Sequence, residues 1–382
     1  MRDAVIVDAV RTPVGKRNGG LAGTHPADLS AHVLRALAQR SGLDPALVDD
    51  VIWGCVGQVG EQTFDIARTA LLSAGWPESV PGTTVDRQCG SSQQSVHFAA
   101  AGLIAGHYDL VVAGGVESMS RIPMGSSFSA ESNPFSGTGW TERYGAFPNQ
   151  GIGAEMIAQK WGLSRTQLDE FSVASHEKAA RAQDEGRFDS QLAPVTSSAG
   201  VVAADEGIRR GSSVETLAAL KPAFDPEGVI TAGNSSQISD GSAALLMTTS
   251  ERAQELGLTP IARVRTAVVA GSDPIIMLTG PIPATQKALA RSGLRLDEIG
   301  AFEVNEAFAS VPLAWLADIG ADEKVLNPNG GAIAIGHPLG GSGARLMTTL
   351  VHHMRDNGIR YGLQTMCEGG GMANATILEL LT

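Results

Sequence analysis

The chain has 382 residues, of which 43% are hydrophobic and 18% charged, enough for a large buried core over two to three domains. A formal charge of −12 argues against nucleic acid or an anionic membrane as partner, and no uncharged apolar run reaches the ~18 residues of a membrane helix. Cys55, Cys89 and Cys367 are far apart, with no C-x-x-C pair, so reduced thiols in a cytoplasmic setting are expected and a zinc site is not.

The opening residues turn polar too early for a secretory signal. Residues 35–43 then carry an apolar stripe at helical spacing that ends on Gly42, a residue suited to a left-handed cap. A short acidic turn leads to the strand-like Val51-Ile-Trp-Gly-Cys-Val56. Thr83-Thr-Val-Asp86 enters a Gly/Ser-rich turn, a helix of small residues follows over 92–106, and Leu110-Val-Val-Ala-Gly-Gly115 reads as a buried strand. Residues 118–235 differ in kind, being rich in Ser, Gly, Pro and Asn, with helical stretches at 153–161 and 166–186. An insertion of that length is functional or a small domain of its own; it reads as a lid-like subdomain over the site.

The first pattern then returns. Lys287-Ala-Leu-Ala-Arg-Ser-Gly-Leu294 matches the first helix end, and Ala301-Phe-Glu-Val-Asn305 the first strand. Val325-Leu-Asn-Pro-Asn329 enters a second Gly-rich turn, a helix is expected over 342–354, and Gly362-Leu-Gln-Thr-Met-Cys367 closes the unit. Ordered matches at a nearly constant spacing, from Gly42 to Gly293 and from Gly114 to Gly369, indicate two copies of one α/β unit. Near-continuous apolar strands alternating with helices mean a mostly buried sheet covered by helices.

Four residues fall at strand ends or turns of this repeat. Cys89, in Asp86-Arg-Gln-Cys-Gly-Ser-Ser, stands where a helix begins, and free amides and the helix dipole there favour a thiolate; a small apolar core residue fits equally. His337, in Gly336-His-Pro-Leu-Gly-Gly-Ser-Gly343, occupies the matching turn of the second copy. Pseudo-twofold symmetry places it facing Cys89, as thiol activation requires, although exposed or capping histidines are common in such loops. Cys367 precedes Glu368-Gly-Gly-Gly371, whose backbone can approach a ligand closely, and it could also be a structural cysteine of a terminal hairpin. Asn305, in Asn305-Glu-Ala-Phe308, ends a strand where α/β proteins collect ligands, or caps a helix.

With Gly233-Asn-Ser-Ser-Gln-Ile-Ser-Asp-Gly241, Asn329-Gly-Gly-Ala-Ile-Ala-Ile-Gly-His-Pro338 and Cys367-Glu-Gly added, the chain resembles the thiolase superfamily over essentially its whole length. The resemblance implies a duplicated α/β thiolase fold of five layers, α-β-α-β-α, with an inserted loop domain. Residues 1–117 with about 236–260 would form the N-terminal half, 118–235 the loop domain, and 261–382 the C-terminal half. It implies a Cys89 nucleophile whose proton passes to His337, and Cys367 as the acid and base for the α-carbon. It also implies two oxyanion holes, one from His337 and a water on Asn305, the other from the backbone N–H groups of Cys89 and Gly369. Ser236 matches a serine on the pantetheine arm and Arg209 an arginine near the adenine-ribose end of coenzyme A. Thr216 stands where a serine is often found, and Met277 and Ala307 match the wall of the thioester pocket. Coenzyme A enters as co-substrate, with no permanently bound cofactor and no metal, and relatives form dimers or tetramers.

The sequence departs from the short-chain pattern at Asn149-Gln-Gly151, where those enzymes carry His-Met-Gly and the histidine closes the acyl pocket. The departure resembles actinobacterial degradative thiolases acting on medium or bulky acyl groups, including steroid-derived ones. The alternatives are a biosynthetic acetyl-CoA acetyltransferase and an inactive acyl-CoA-binding subunit.

Overall fold

The computed structural model describes residues 2–129, 131–145 and 147–381. The first repeat comprises β1 (Val5–Arg11), β2 (Gly15–Lys16), α1 (Pro26–Ser41), β3 (Asp50–Gly54), α2 (Ile66–Ser73), β4 (Gly82–Val85), α3 (Ser91–Ala105) and β5 (Leu110–Ser118). The middle segment holds α4 (Thr138–Tyr144), α5 (Gln150–Trp161), α6 (Arg165–Asp184), the hairpin β6 (Val195–Ser197) and β7 (Gly200–Val202), and α7 (Val214–Ala218). There follow β8 (Ser239–Thr248), α8 (Ser250–Glu255), β9 (Ala262–Gly271), α9 (Pro281–Ser292), β10 (Ala301–Val304), α10 (Ser310–Ile319), α11 (Leu339–Asn357), β11 (Tyr361–Glu368) and β12 (Met372–Leu380).

The duplication is written in the local chemistry of both copies. Helices α1 and α9 each begin with proline in the first turn, where a missing N–H costs nothing, and each ends on a left-handed glycine, Gly42 at φ 67° and Gly293 at φ 74°. From the centre outward the first half-sheet runs β1-β8-β5-β3-β4 and the second β9-β12-β11-β10. The pairing sense repeats as well: β3 lies parallel to β5, which lies antiparallel to β8, just as β10 lies parallel to β11 and β11 antiparallel to β12. The outermost strand lacks a full counterpart, for at the place of β4 the second half has a single bridge from Phe302 to Leu326, and the short β2 beside β8 has none among the described residues.

Helices α1 and α2 cover the first half-sheet and α9 and α10 the second, while α3 and α11 pack against each other between them. Five layers result, as expected. The half-sheets are not separate, however: β1 and β9 pair antiparallel at Val5–Ile6 and Ala262–Arg263, which joins them at one end into one ten-stranded sheet.

Helix α11 is buried along most of its length and α3 on every face but the one that carries Phe98 and Ile104, which explains their composition. Ser91, Ser92, Gln93 and Ser95 of α3 are all buried and bond across the layer: Gln93 donates to Thr376 Oγ1 at 2.7 Å, and Ser92 Oγ takes the Ala344 N–H at 2.9 Å. A Cβ on Gly343 would lie 2.3 Å from the Gln93 nitrogen, so only glycine lets α11 approach α3 this closely. Helix α11 therefore begins earlier than its Gly-rich sequence suggests, at Leu339. Its Gly340 N–H is held at 2.8 Å by Glu117, which also takes the N–H groups of Val56 and Gly57 at 3.0 Å.

The middle segment is tied to the rest through buried charge. Arg11 of β1 grips Asp205 with two bonds of 2.7 and 2.9 Å, both side chains fully buried. Helix α5 is fastened by Glu155, whose carboxylate takes the N–H groups of Val229 and Ile230 at 2.9 and 2.8 Å. Among the described residues no helix is long and apolar enough to cross a membrane.

Candidate active site

Cys89 follows β4 and stands one residue before Gly90, the N-cap of α3. Gln88 before it takes a left-handed φ of 48°, a strained backbone for a non-glycine residue and the turn that presents the cysteine. Cys89 packs with Met119, Leu339 and Met366. Leu339 stands two residues after His337 and Met366 one before Cys367, so the repeat brings the two turns together. Its thiol is addressed by the Gln150 side chain and the Gly369 backbone N–H.

His337 is held on three sides. Its backbone N–H reaches Ser239 Oγ at 3.1 Å and the Gln237 carbonyl at 3.3 Å. Its Nδ1 stands 2.6 Å from Ser342 Oγ, which donates its own proton to the Pro338 carbonyl at 2.8 Å. Its Nε2 faces Asn305 Nδ2 at 3.4 Å. Asn305 leaves β10 beside Cys367 of the parallel β11, its N–H bonded to Thr365 O at 3.1 Å. It caps no helix: α10 starts at Ser310 after Ala309. Glu306 secures the motif instead, accepting from Ser175 Oγ at 2.6 Å, Asn327 Nδ2 at 2.8 Å and the Ile333 N–H at 3.2 Å.

Electrostatically, burial sets the charge of the two cysteines and His337. Burial, with Glu368 beside it, pushes the Cys89 thiol up to about 12, against the favourable hydrogen bonds it receives. The expectation of a resting thiolate at the helix start is thus reversed, because desolvation outweighs a screened helix end. Cys367 is likewise raised well above the ordinary thiol range, by burial and by Cys89, which lies within electrostatic reach. Burial, with Arg345 nearby, lowers His337 to about 3, so the imidazole is neutral near pH 7. At rest, then, the Cys89 thiol and the His337 imidazole are both uncharged, and no thiolate–imidazolium ion pair is stored.

The other expected residues fall into two groups. Met277 and Ala307 share a buried apolar cluster with Cys367, and the Ser236 N–H bonds Ala307 O at 2.9 Å. The turn Gly369-Gly-Gly371 is left-handed at its last two positions, φ 83° and 77°. Arg209 is exposed on a cleft of about 290 Å³ that it shares with His176 and Ser212, and among the described residues it makes no ion pair. Gln237 ties the segment before Arg209 to the His337 turn, reaching the carbonyls of Gly207 and Ile333 at 2.8 Å. Thr216 is exposed and spent on the capping box of α7. A larger cavity of about 450 Å³, at Asp8, Arg40 and Leu258, holds none of these groups.

Sequence reasoning missed Ser342, Gln237, Glu117 and Gln150. Ser342, Gln237 and Gln150 lie inside quoted motifs, whereas nothing local marks Glu117. Asn149, read as an opened pocket wall, is exposed and caps α5, accepting from the Gly151 and Ile152 N–H groups at 2.9 and 3.2 Å.

This geometry agrees with the chain's likenesses. The family described as thiolase, N-terminal domain, matches residues 4–251, and that described as thiolase, C-terminal domain, matches 258–380. The chain belongs to the thiolase family, and it is an acyltransferase. It is 49% identical to the steroid 3-ketoacyl-CoA thiolase FadA6 of Mycobacterium tuberculosis, an alignment covering 100% of this chain and 95% of that protein. It is 46% identical to a 3-ketoacyl-CoA thiolase of Aliivibrio fischeri, covering 99% and 100%. The crystal structure of Bacillus anthracis acetyl-CoA acetyltransferase superposes with a TM-score of 0.92 at 36% identity, covering 100% of this chain and 99% of that one.

Proposed function

We propose that this thiolase cleaves 3-ketoacyl-CoA in the degradative direction, with coenzyme A as co-substrate and a medium or bulky acyl group. The observation that carries the reading is a neutral imidazole with an unprotonated Nε2, set by Ser342, in a site that also holds two buried thiols within reach of each other. Cys89 Sγ attacks the 3-keto carbon as its proton passes to His337 Nε2. The bond between the second and third carbons breaks, leaving acyl-Cys89 and an acetyl-CoA enolate, which takes the proton of Cys367. A second coenzyme A attacks acyl-Cys89 and its thiol proton restores Cys367; the shortened acyl-CoA forms as the Cys89 sulfur leaves and takes back the proton held by His337.

Negative charge develops on a carbonyl oxygen in each half-reaction. The N–H groups of Cys89 and Gly369 serve the acyl-enzyme oxygen; His337, once protonated, and Asn305 with a water serve the thioester oxygen. One such donor is typically worth about 10²–10³ in rate. Met277 and Ala307 line the acyl and thioester pocket, Ser236 meets the pantetheine arm, and Arg209 meets the nucleotide end of coenzyme A; for Thr216 only a supporting role behind that end remains. Residues 118–235 act as the loop domain over the site, between halves formed by 1–117 with 236–260 and by 261–382. Exposed Phe64, Phe98 and Ile104, the last two on the helix behind edge strand β4, favour a homodimer or homotetramer. The three free, buried cysteines suit a cytoplasmic setting.

Support for a larger acyl group comes from the degradative thiolases named above and from Asn149, which caps a helix and leaves the pocket end without the closing histidine. Steady-state thiolysis across ketoacyl-CoAs of graded size tests it. A medium-chain or ring-bearing substrate is expected to exceed acetoacetyl-CoA in kcat/KM by at least about tenfold, which needs only about 1.4 kcal/mol of differential transition-state binding. Equal or better turnover of acetoacetyl-CoA would favour the biosynthetic alternative.

A further inference from the structure

Helix α5 delivers one side chain to the nucleophile, and the packing that aims it is specific. A Cβ on Gly151 would stand 2.1 Å from the Phe224 ring, and one on Gly153 would stand 2.9 Å from the Ile276 carbonyl. The helix is therefore seated against these groups at closest approach, with Ser310 Oγ bonding Ala154 O at 3.1 Å and Glu155 anchoring the next turn. Asn149 caps its first turn, leaving the half-buried Gln150 to turn inward. The Gln150 amide nitrogen stands 3.5 Å from where a Cβ on Gly369 would lie, on the residue whose N–H also addresses the Cys89 thiol.

We infer that Gln150 is a catalytic residue of the Cys89 half-reaction: its side-chain amide donates to the Cys89 sulfur at rest and joins the Cys89 and Gly369 N–H groups around the oxygen of acyl-Cys89. The inference rests on the proposed thiolase chemistry at Cys89 and extends it. A primary amide suits the task because it donates without titrating, so its contribution persists at every working pH. It is also the only one of these three donors carried by the middle segment. Acylation of Cys89 thus depends on how α5 is seated, and α5 in turn is fixed through contacts to Phe224 and Ile276.

Acetyl-CoA serves as the probe for both halves of the test. Gln150→Met keeps the length of the side chain and removes the donor; Gln150→Glu keeps the shape and sets a carboxylate against the sulfur. In Gln150→Met, acetylation of Cys89, followed by intact-protein mass, is expected to slow by about tenfold or more. Alkylation of Cys89 by iodoacetamide at a fixed pH should also slow by about tenfold, since the thiolate loses a hydrogen bond. Exchange of the acetyl-CoA α-protons with deuterium oxide, the work of Cys367, should stay within threefold. Gln150→Glu should slow acetylation further as pH rises and its carboxylate ionises. Acetylation and alkylation both within threefold of the unaltered enzyme would overturn the inference. So would loss of α-proton exchange in step with acetylation in both variants, which marks a structural support. An unaltered enzyme that never acetylates on Cys89 would instead sink the thiolase reading of the site itself.

Discussion

Ser342 Oγ stands 2.6 Å from His337 Nδ1 while giving its own proton to the Pro338 carbonyl 2.8 Å away. A hydroxyl has one proton, so the bond to the imidazole must be donated by Nδ1–H. The lone pair is thereby left on Nε2, where a base for the thiol needs it.

Ser342→Ala frees the ring and its tautomer. A positioned base contributes about 10²–10⁴ in rate, and part of that should go: acylation of Cys89 is expected to fall by about ten- to hundredfold, with the KM for coenzyme A little changed. Pre-steady-state acylation measures this. An unchanged acylation rate would show that Ser342 does not set the proton.

The two cysteines should separate by half-reaction. Cys89 is 4% exposed, whereas Cys55 and Cys367 are fully buried, so iodoacetamide should label Cys89 first, and acyl-CoA should protect it. Cys367→Ala should still acylate Cys89 yet fail to exchange the α-protons of acetyl-CoA; Cys89→Ala should form no acyl-enzyme. Peptide mass spectra and deuterium exchange follow both, and labelling confined to Cys55 or Cys367 would contradict the assignment.

Glu368 offers a pH test. It is fully buried beside Gly90, and neither carboxylate oxygen finds a hydrogen-bond partner among the described residues. Burial raises it to about 8, against the pull of Arg87. Between about pH 4.5 and 8 the unfolded chain has lost this proton and the folded one keeps it, so this group's stabilising contribution drains away as pH rises through that window. Glu368→Gln removes the linkage. Its stability relative to the parent should therefore improve from pH 5 to pH 8, by an amount on the order of a few kcal/mol. Above pH 8, where the parent carries a carboxylate facing Cys89, the variant should also alkylate faster at Cys89. A stability difference that stays flat with pH, in melting curves, would refute the shifted titration.

The sequence by itself determined the repeat, because its signals are local. Helical stripes, the proline starts and the glycine caps at Gly42 and Gly293 each need only a few neighbouring residues, and they recur in order. The motifs likewise drew attention to Cys89, His337, Cys367 and Asn305, of which Asn305 Nδ2 stands 3.4 Å from His337 Nε2 and Cys367 lies within electrostatic reach of Cys89. What only the tertiary structure decided is how those groups are charged and who touches them. A helix start argued for a thiolate at Cys89, yet burial among Met119, Leu339 and Met366 costs the charged form more than a helix end returns. Asn149, read for the pocket histidine it replaces, is also the cap of α5. Gln150 reaches the thiol, Gln237 knots the segment before Arg209 to the His337 turn, and Glu117 fixes the start of α11, all across distances in the chain that leave no periodicity to read. Dielectric environment and long-range side-chain contact are properties of the packed chain, and no window of sequence contains them.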